Sequence, residues 1–444
     1  MSQYTKKEIL DLVEEEDVEF IRLQFTDLFG NMKNMAITAG HLEEALDDQV
    51  LFDGSSVEGF MRIEESDMYL CPDRSTMAIF PWRPQQGKVA RLICDVYRPD
   101  GSCYEGDPRY ILRKVAAEAA KLGYTFRVGP ECEFFLFHVD DDGLPTTISH
   151  EQAGYFDMGP LDFGENARRD IVLTLEEMGF DVESSHHENS PAQHEIAFRH
   201  NEALAMADQI MTFKMVVKSI AKRHGLHATF MPKPKDGVDG SGMHINMSLH
   251  AADGRNVFRD EADPHGLSRE AYYFLGGIMR HIKAMTMILN PTVNSYKRLM
   301  PGYEAPTYIA WAERNRTPLV RIPAIRGENA RLELRSPDPS CNPYLALALC
   351  LAAGLDGIKN KILPPEAIEG NINAMSPGER REKGIERLPK NLGEAVEAFG
   401  EDPLMEQVLG AEVCRKYTKA KMAEWRSYNE TVSQWELDQY LLKF

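Results

Sequence analysis

Hydrophobic and polar positions in the first quarter of the chain follow two different periods. Lys6 to Glu16 has helical spacing and predicts a short amphipathic helix, whereas VEFIRLQFTD alternates at every second residue and predicts a strand. Turn-rich segments such as RPQQG and RPDGS separate further short strands up to about residue 100. The segment RPDGSCYEGDPR is rich in Pro, Gly and Asp, which is typical of a domain boundary. We therefore expect a small α+β domain over residues 1–104.

Longer elements follow this boundary. A helix is predicted from Pro108 to Leu122, and further helices over residues 164–178, 201–224, 267–289, 343–359 and most of 393–428. Strand-like stretches alternate with them: FRVGPECEFFLFHV, HHENSPAQHEIAF, LHATFMP, SGMHINMSLH, PLVRIPA and ARLELRS. Residues 364–390 are rich in proline and charge and predict a surface excursion. The order of elements indicates one large α+β domain over residues 105–444.

Charge and composition narrow the possible partners. The 444 residues include 69 acidic and 50 basic side chains, a net charge of −19, and 43% are hydrophobic. An acidic protein of this kind lacks the basic face of a dedicated nucleic-acid binder and is repelled by anionic membranes. The longest apolar stretch, Tyr344 to Leu355, is too short to cross a bilayer. The N-terminus has no apolar signal region, so we expect a cytoplasmic location.

The cysteine pattern argues against a disulfide framework. The chain has 7 cysteines, an odd number, at wide spacing and without a CxxC pair. Reduced and mostly buried thiols are therefore expected.

Carboxylates occupy strand faces that should be apolar in a core. Side chains alternate across a strand, so Glu131 and Glu133 share one face. Glu188 and Glu195 flank a Ser-Pro turn and come close together if the two arms pair as a hairpin. Neighbouring carboxylates repel each other unless a cation lies between them. Three histidines in the same segment allow a zinc interpretation, but the carboxylates are the stronger signal.

Two further segments add a histidine and a run of arginines. His244 follows a glycine-rich turn at the start of a strand, and Glu333 lies between Arg331 and Arg335 on one strand face. The segment from 298 to 335 holds seven arginines: Arg298, Arg314, Arg316, Arg321, Arg326, Arg331 and Arg335. Arginine is favoured where carboxylate or phosphate oxygens are held by two hydrogen bonds.

The sum of these features indicates metal-dependent phosphoryl transfer. Carboxylates with one histidine suit hard divalent cations such as Mg²⁺ or Mn²⁺, and an arginine cluster could neutralise a transferring phosphoryl group. A two-metal phosphatase or nuclease fits almost as well, so composition and spacing leave the reaction open.

At these residues the chain resembles the bacterial type I class of glutamine synthetases. The matching stretches are FDGSS, GPECEFF, SHHENSPAQHEI, MPKP with GSGMHINMSL, NPTVNSYKRLMPGYEAP, and NRTPLVRIP through RLELRSPDPSCNPYLALA. They extend from about residue 17 to QWELDQY, essentially the whole chain. The resemblance implies a β-grasp-like N-terminal domain and a catalytic domain whose antiparallel strands form part of an active-site barrel. It also implies a dodecamer of two hexameric rings, with active sites between neighbouring subunits.

The implied reaction joins ammonium to the γ-carboxylate of glutamate. ATP first phosphorylates that carboxylate, and ammonia then attacks the γ-glutamyl phosphate. By motif, one metal ion would be held by Glu133, Glu188 and Glu195. The other would be held by Glu131, His244 and Glu333.

The resemblance also assigns the remaining site residues. For catalysis it implies Asp53, Glu304, Arg316 and Arg335. For glutamate and ammonium it implies Ser56, Tyr155, Glu188, Gly240, Gly242 and Arg298. For ATP it implies Ser248, Arg321 and Arg331. Asp53 and Ser56 would reach an active site of the neighbouring subunit, and Glu304 would lie on a flap that closes over glutamate.

Some positions point to one branch of the family. No tyrosine lies between Tyr344 and Tyr417, so we expect no regulation by tyrosine adenylylation. The chain resembles the shorter branch that glutamine inhibits, in which Arg62 takes part; an exposed ion pair is the structural alternative for Arg62. Ala192 replaces a common glycine, and Glu328 stands where the other branch carries a lysine near ATP.

Two rival functions stay open. One is a γ-glutamyl-amine ligase of the same superfamily that uses a larger amine or polyamine. The other is a regulatory protein that binds a nitrogen-responsive transcription factor. Nearly every expected metal ligand and arginine is present, which argues against a protein that has lost catalysis. A protein that both catalyses and regulates is possible.

Overall fold

The computed structural model describes residues 4–57, 59, 66–83, 86–313 and 315–444. The N-terminal part forms a five-stranded sheet with two helices. Its helices are α1 (Lys6–Glu15) and α2 (Leu42–Leu46), and its strands are β1 (Val18–Thr26), β2 (Met32–Thr38), β3 (Val50–Asp53), β4 (Asp67–Ile79) and β5 (Lys88–Tyr97). The strand order is β2-β1-β5-β4-β3, and only β1 and β5 run parallel among these pairs.

Alternation along the strands explains the core of this first sheet. Ile21 and Leu23 on β1 and Leu92 on β5 are fully buried, together with Ile9 from α1. The apolar side chains on one face of each strand thus pack against the helices. The helix predicted from Lys6 to Glu16 ends one residue earlier, and the capping box formed by Thr5 and Glu8 fixes its start.

A larger curled sheet forms the second part. Its strands are β6 (Tyr124–His138), β7 (Val182–His187), β8 (Gln193–Phe198), β9 (Asn201–Glu202), β10 (Leu226–Thr229), β11 (Met243–Ala251), β13 (Trp311–Ala312), β14 (Val320–Arg321) and β15 (Leu332–Leu334). The main path is β13-β14-β15-β11-β6-β8-β7, and β9 and β10 also pair with β6. A separate pair joins β12 (Tyr308–Ile309) to β16 (Glu386–Arg387).

The described residues of the second part also form helices, some of which pack against the apolar face of the larger sheet. They are α3 (Pro108–Lys121), α4 (Glu165–Glu177), α5 (Ala203–Arg223), α6 (Arg269–Leu289), α7 (Ser295–Arg298), α8 (Pro343–Asn360), α9 (Pro377–Glu382), α10 (Leu392–Glu401), α11 (Pro403–Leu409), α12 (Ala411–Glu430) and α13 (Gln434–Tyr440). The apolar stretch from Tyr344 to Leu355 is almost wholly buried in α8. The opposite, polar face of the sheet is thereby left for the functional site.

Most predicted elements are present, with two corrections. The long helix expected over most of 393–428 is three helices, because Pro403 begins a new helix and Gly410 has φ of +84°. The PLVRIPA strand is reduced to Val320–Arg321, since prolines on both sides limit its pairing. The α+β class is confirmed, and the division at residues 104 and 105 stays a prediction.

A buried ion-pair cluster joins the two parts of the molecule. Arg109 at the start of α3 contacts Asp95 on β5 at 2.8 Å, Asp73 on β4 at 2.6 Å and Asp208 on α5 at 2.9 Å. We call these four residues the junction cluster.

Disulfide bonds and membrane-spanning helices are two features that the sequence predicts to be absent. All seven cysteines carry free thiols. Within the described ranges, no helix combines the length and the apolar character needed to cross a membrane.

Candidate active site

A polar cavity of about 190 Å³ lies against the strands β6, β8, β11 and β15. Its lining holds seven carboxylates and three arginines, so negative charge is in excess. The acidic members are Glu131, Glu133, Glu188, Glu195, Asp239, Glu304 and Glu333, and the arginines are Arg316, Arg321 and Arg335. We call the five glutamates on or beside the strands, Glu131, Glu133, Glu188, Glu195 and Glu333, the site cluster.

Three of the predicted metal ligands meet at one end of the cavity. Glu131 on β6 and His244 on β11 are direct partners across the two strands, and His244 Nδ1 lies 3.3 Å from the Glu131 carboxylate. The same Nδ1 lies 3.7 Å from the Glu333 carboxylate. Ligand atoms of Glu131, His244 and Glu333 all lie within 4.8 Å of one another, a spacing at which one cation could be shared.

The hairpin of β7 and β8 forms the other end. His186 lies 2.7 Å from Glu188 and 4.0 Å from Glu195, and ligand atoms of these three lie within 4.8 Å of one another. Glu133 faces Glu195 across β6 and β8, and its carboxylate accepts hydrogen bonds from Gln193 Nε2 at 2.9 Å and from the Gly242 N–H at 2.8 Å. The predicted set of Glu133, Glu188 and Glu195 therefore lines one wall, with His186 as an additional donor.

Repulsion between these carboxylates appears in their proton affinities. Burial and the neighbouring Glu188 raise the pKa of Glu133 to about 8. Burial and Glu133 in turn raise the pKa of Glu195 to about 10. Glu131 differs: burial alone would raise its pKa, but hydrogen bonds with His244 and Asn246 lower it to about 2. The carboxylates on the hairpin side thus lack sufficient positive charge from the protein, as expected where a cation binds.

The arginines lie on the opposite side of the cavity. Arg321 on β14 pairs with Glu333 at 2.5 Å, and Arg335 Nε lies 3.3 Å from the same carboxylate. Arg335 also donates from Nη1 to the carbonyl oxygen of Arg316. Burial lowers the pKa of Arg335. Arg321 and Arg335 are thus held against Glu333, whereas Arg316 lines the cavity from an exposed position.

Two glycines allow the chain to pack closely against a buried arginine. Arg298 is 2% exposed and donates to the carbonyl oxygens of Ser336 at 2.7 Å and Arg335 at 3.0 Å. A Cβ on Gly242 would lie 2.6 Å from Arg298 Nη2, and one on Gly240 would lie 2.2 Å from the Pro232 carbonyl oxygen. A side chain at either position would clash with these atoms, so glycine is required at both. Gly240 and Gly242 therefore pack directly beside Arg298.

Two loops complete the rim. Tyr155 lines the cavity from the segment between β6 and α4, and Glu304 lines it from the segment after α7. The Glu304 N–H donates to Asp239 at 3.0 Å, which joins two rim segments.

A second cavity of about 320 Å³ adjoins the first, and Glu131 lines both. Ser248 and Arg331, the two other predicted ATP residues, lie in this second cavity. Arg331 Nε donates to Asn246 at 2.9 Å, and Ser248 Oγ lies 3.2 Å from His250 Nε2. Glu328 also lines it and pairs with Arg259.

Four predicted residues within the described ranges line neither cavity: Asp53, Ser56, Gly242 and Arg298. Asp53 and Ser56 lie in the N-terminal sheet region, are bonded to each other at 3.0 Å, and are absent from the cavity lining among described residues. This separation is compatible with a role at a neighbouring subunit, which stays a prediction. Arg62 lies outside the described residues, and so does Arg314.

Three lining or supporting residues were missed. Gln193 holds Glu133, Asn246 holds Glu131 at 3.0 Å, and Asp239 holds the Glu304 segment. Two of them carried a signal, because Gln193 alternates with Glu195 and Asn246 alternates with His244 on the same strand faces. Asp239 lies in a loop and had no periodic signal.

Comparisons with known proteins agree with this geometry. Residues 105–440 match the family described as "Glutamine synthetase, catalytic domain", and residues 17–99 match "Glutamine synthetase, beta-Grasp domain". The chain is 59% identical over 444 residues to a glutamine synthetase of Clostridium saccharobutylicum, covering 100% of both chains. It is 52% identical over 442 residues to that of Staphylococcus aureus strain N315, covering 99% of both.

Solved structures show the same fold. A GmaS/ADP complex superimposes with a TM-score of 0.89 at 34% identity, covering 97% of this chain and 99% of the other. Ligand-free GmaS superimposes with a TM-score of 0.87 at 34% identity, covering 98% and 99%. The β-grasp domain and the curled catalytic sheet expected from the resemblance are thereby confirmed.

Family membership settles the reaction class that composition and spacing left open. The family couples ATP to the joining of glutamate and ammonium and uses divalent metal ions, and the carboxylate-rich cavity fits such ions. The chain therefore belongs to the glutamine synthetase family, and it is an ATP-dependent glutamate–ammonia ligase.

Proposed function

We propose that the two adjoining cavities divide the substrates between them, with the nucleotide in the larger and glutamate in the acidic one. The observation that carries this proposal is that Glu131 lines both cavities, so a nucleotide phosphate and a substrate carboxylate can meet beside one cation-binding wall. Ser248 and Arg331 contact the nucleotide. Arg321 supports its phosphates from the side of Glu333.

The residues fit two divalent cations, Mg²⁺ in the first instance and Mn²⁺ as a substitute. Glu131, His244 and Glu333 would hold one. Glu133, Glu188 and Glu195 would hold the other, with His186 as a near neighbour. When bound, the cations supply Lewis-acid stabilisation of the charge on the phosphoryl oxygens. The raised pKa values of Glu133 and Glu195 support this, because carboxylates of that kind gain most from a cation between them.

The arginines act on the substrates directly. Arg298, buried beside Gly240 and Gly242, binds a carboxylate of glutamate. Arg316 and Arg335 contact the phosphoryl group as it passes from ATP to the γ-carboxylate, giving ADP and γ-glutamyl phosphate. The Arg335 guanidinium is held before substrate arrives by Glu333 and by the Arg316 carbonyl oxygen, so it stabilises the transition state with little reorganisation.

Residues at the rim of the cavity act in the second step, the attack of ammonia on γ-glutamyl phosphate. Glu304 closes over the acyl phosphate and keeps water out, and its carboxylate accepts a proton from the adduct. Tyr155 and Glu188, with Asp53 and Ser56 of a neighbouring copy, bind ammonium. Asp53 takes one proton from it, the resulting ammonia attacks the carbonyl carbon of γ-glutamyl phosphate, and phosphate leaves to give glutamine. This assignment needs an oligomer, which we propose to be two stacked hexameric rings.

Glutamine inhibition through Arg62, a cytoplasmic location and binding of nitrogen-responsive transcription factors remain part of the proposal. Their support is the resemblance alone. A larger-amine ligase is less favoured, because the family and its named relatives are glutamine synthetases.

The deciding experiment measures ATP-dependent phosphate release with glutamate and Mg²⁺, offering ammonium, methylamine and putrescine in parallel. We expect release with ammonium and a fall when glutamine is added. Release only with the larger amines would contradict the ammonium pocket. Release that ignores glutamine would remove the feedback proposal and leave the synthetase assignment intact.

A further inference from the structure

A buried polar network lies behind the active-site cavity and is not part of its lining. It ties the segment 139–164, between β6 and α4, to the β7–β8 hairpin. Its members are Glu151, Asp162, Arg168, His187 and His194, and each is at most 7% exposed. We call it the 151 network.

Glu151 bonds to three separate points of the chain. One carboxylate oxygen accepts from the Phe163 N–H at 2.8 Å. The other accepts from the Ala192 N–H and lies 2.8 Å from His187 Nε2. A single side chain thus fixes the end of the segment, the hairpin turn and a hairpin strand.

His187 extends these bonds to the rim. Its Nδ1 lies 2.7 Å from the Glu188 carbonyl oxygen and 3.0 Å from that of Gly154, and its Nε2 faces Glu151. Carbonyl and carboxylate oxygens only accept hydrogen bonds, so Nδ1 and Nε2 both carry protons and both donate. The backbone oxygen of His187 accepts from the Phe156 N–H at 3.0 Å.

The hairpin turn depends on such support. Ala192 has φ of +70°, a conformation that favours glycine. A non-glycine residue persists there only when its surroundings hold it, and Glu151 bonds its N–H.

A buried metal site is excluded by the bonding of the same residues. Ligand atoms of Glu151, His187 and His194 do lie within 4.8 Å of one another. However, His194 Nδ1 accepts from Arg168 at 2.8 Å, and a cation there would face that guanidinium. The Gly164 backbone packs against His194 Nε2, where an added Cβ would lie 2.4 Å away. The Nδ1 of His194 is thus already bonded, and so are both nitrogens of His187 and both carboxylate oxygens of Glu151.

We propose that Glu151 is a positioning residue that sets the relative placement of Glu188 and Tyr155, the two cavity residues assigned to ammonium. Glu188 follows His187 directly, and Tyr155 lies between Gly154 and Phe156, both of which are bonded to His187. The inference rests on the proposed function, since it presumes that Glu188 and Tyr155 bind ammonium and that Glu188 binds a metal ion.

The test compares Glu151→Gln with Glu165→Gln. The amide replaces one acceptor oxygen of Glu151 by a donor, so the bonds to Ala192, Phe163 and His187 cannot all form. Glu165 is a matched control, because its carboxylate accepts from the Gly159 N–H at 2.9 Å in the same segment but lies on the surface. The readouts are KM for ammonium, glutamate and ATP, and Mn²⁺ affinity by electron paramagnetic resonance without substrates.

For Glu151→Gln we expect KM for ammonium to rise, and Mn²⁺ affinity to fall, by roughly 10- to 100-fold, the range for outer partners of a site. KM for ATP should stay within about twofold, because the network does not touch the nucleotide cavity. Glu165→Gln should match the unmodified protein. Glu151→Asp, which keeps the charge and shortens the chain, should shift ammonium KM in the same direction by less.

Unchanged ammonium KM and Mn²⁺ affinity in folded Glu151→Gln would overturn the inference. So would an equal loss of every parameter, ATP included, which indicates general damage. If Glu151→Gln does not fold, Glu151→Asp decides by the same criteria. An unmodified protein that binds no Mn²⁺ or ignores ammonium would instead refute the proposed function, independently of either variant.

Discussion

The junction cluster and the site cluster both bury several carboxylates, but they differ in the source of positive charge. In the junction cluster, the Arg109 guanidinium lies within 2.9 Å of all three aspartates, and Arg113 adds a second contact to Asp95 at 2.5 Å. Among the described residues, Glu333 alone in the site cluster has arginine partners within 4 Å, at 2.5 and 3.3 Å. Every carboxylate of the first cluster therefore has a guanidinium partner from the chain, whereas most carboxylates of the second have none.

This difference separates a structural role from a functional one. Removing charges from water is costly unless they are paired, so a chain that needs only stability supplies its own counter-charge. Glu133 and Glu195 face each other across two strands with raised pKa values instead. An arrangement that is unfavourable for the protein alone is retained where a ligand completes it.

The largest expected effect is on the junction cluster. Arg109→Ala would leave the buried Asp95 and Asp208 and the partly exposed Asp73 without their central cation, so we expect the free energy of unfolding to fall by about 3–5 kcal/mol. Urea denaturation followed by circular dichroism measures it. Arg113→Ala is the control: Arg113 is 36% exposed at its side chain and contacts one aspartate, so about 1 kcal/mol or less is expected. Equal losses in the two variants would contradict the central role of Arg109.

In the site cluster, replacing one carboxyl group should raise the free energy of unfolding rather than lower it. Glu195→Gln removes a buried carboxyl that must take up a proton on folding when no metal is bound, so the metal-free protein should become more stable near neutral pH. Ligase activity should fall by at least about 100-fold, equivalent to about 2.7 kcal/mol, since Glu195 is a proposed metal ligand. Denaturation in chelator and a phosphate-release assay measure the two quantities. Lower stability together with retained activity would show that the two clusters do not differ as described.

How far the sequence predicted these two regions follows from strand periodicity. Alternation placed Glu131 with Glu133 on one face and His244 at a strand start, and each of these residues lines the cavity. The reaction itself did not follow from that pattern, since a phosphatase or nuclease fitted almost as well; the family resemblance was needed to choose. The roles predicted for Asp53, Ser56 and Arg62 rest on the resemblance alone and stay predictions.

The junction cluster had no comparable signal. Arg109 and Asp208 are 99 residues apart, and their contact arises only when α3 and α5 pack together. Periodicity describes one element at a time, whereas long-range pairing depends on the packing of several. The break at Gly410 is a different case, because Pro403 and Gly410 were visible as helix-ending residues and were outweighed by the surrounding helical spacing.

The smallest expected effect is a pH dependence confined to the site cluster. The folded pKa of Glu133 is raised to about 8, above the unfolded value near 4.3, so the metal-free folded chain binds more protons between these limits. Glu195, whose pKa is also raised, adds to this difference, so stability should fall as pH rises from about 5 to 8.

A divalent cation should reverse this slope, because it binds the ionised carboxylates and competes with protons. Denaturation midpoints at pH 5, 6, 7 and 8, in chelator and in saturating Mg²⁺, measure both slopes. Glu195→Gln should flatten the chelator slope, since one of the two carboxylates with a raised pKa is removed, whereas Arg113→Ala should leave it unchanged. A slope that persists in Mg²⁺ would show that it originates outside the site cluster. It would also weaken the contrast between a cluster whose positive charge comes from the chain and one whose positive charge comes from a ligand.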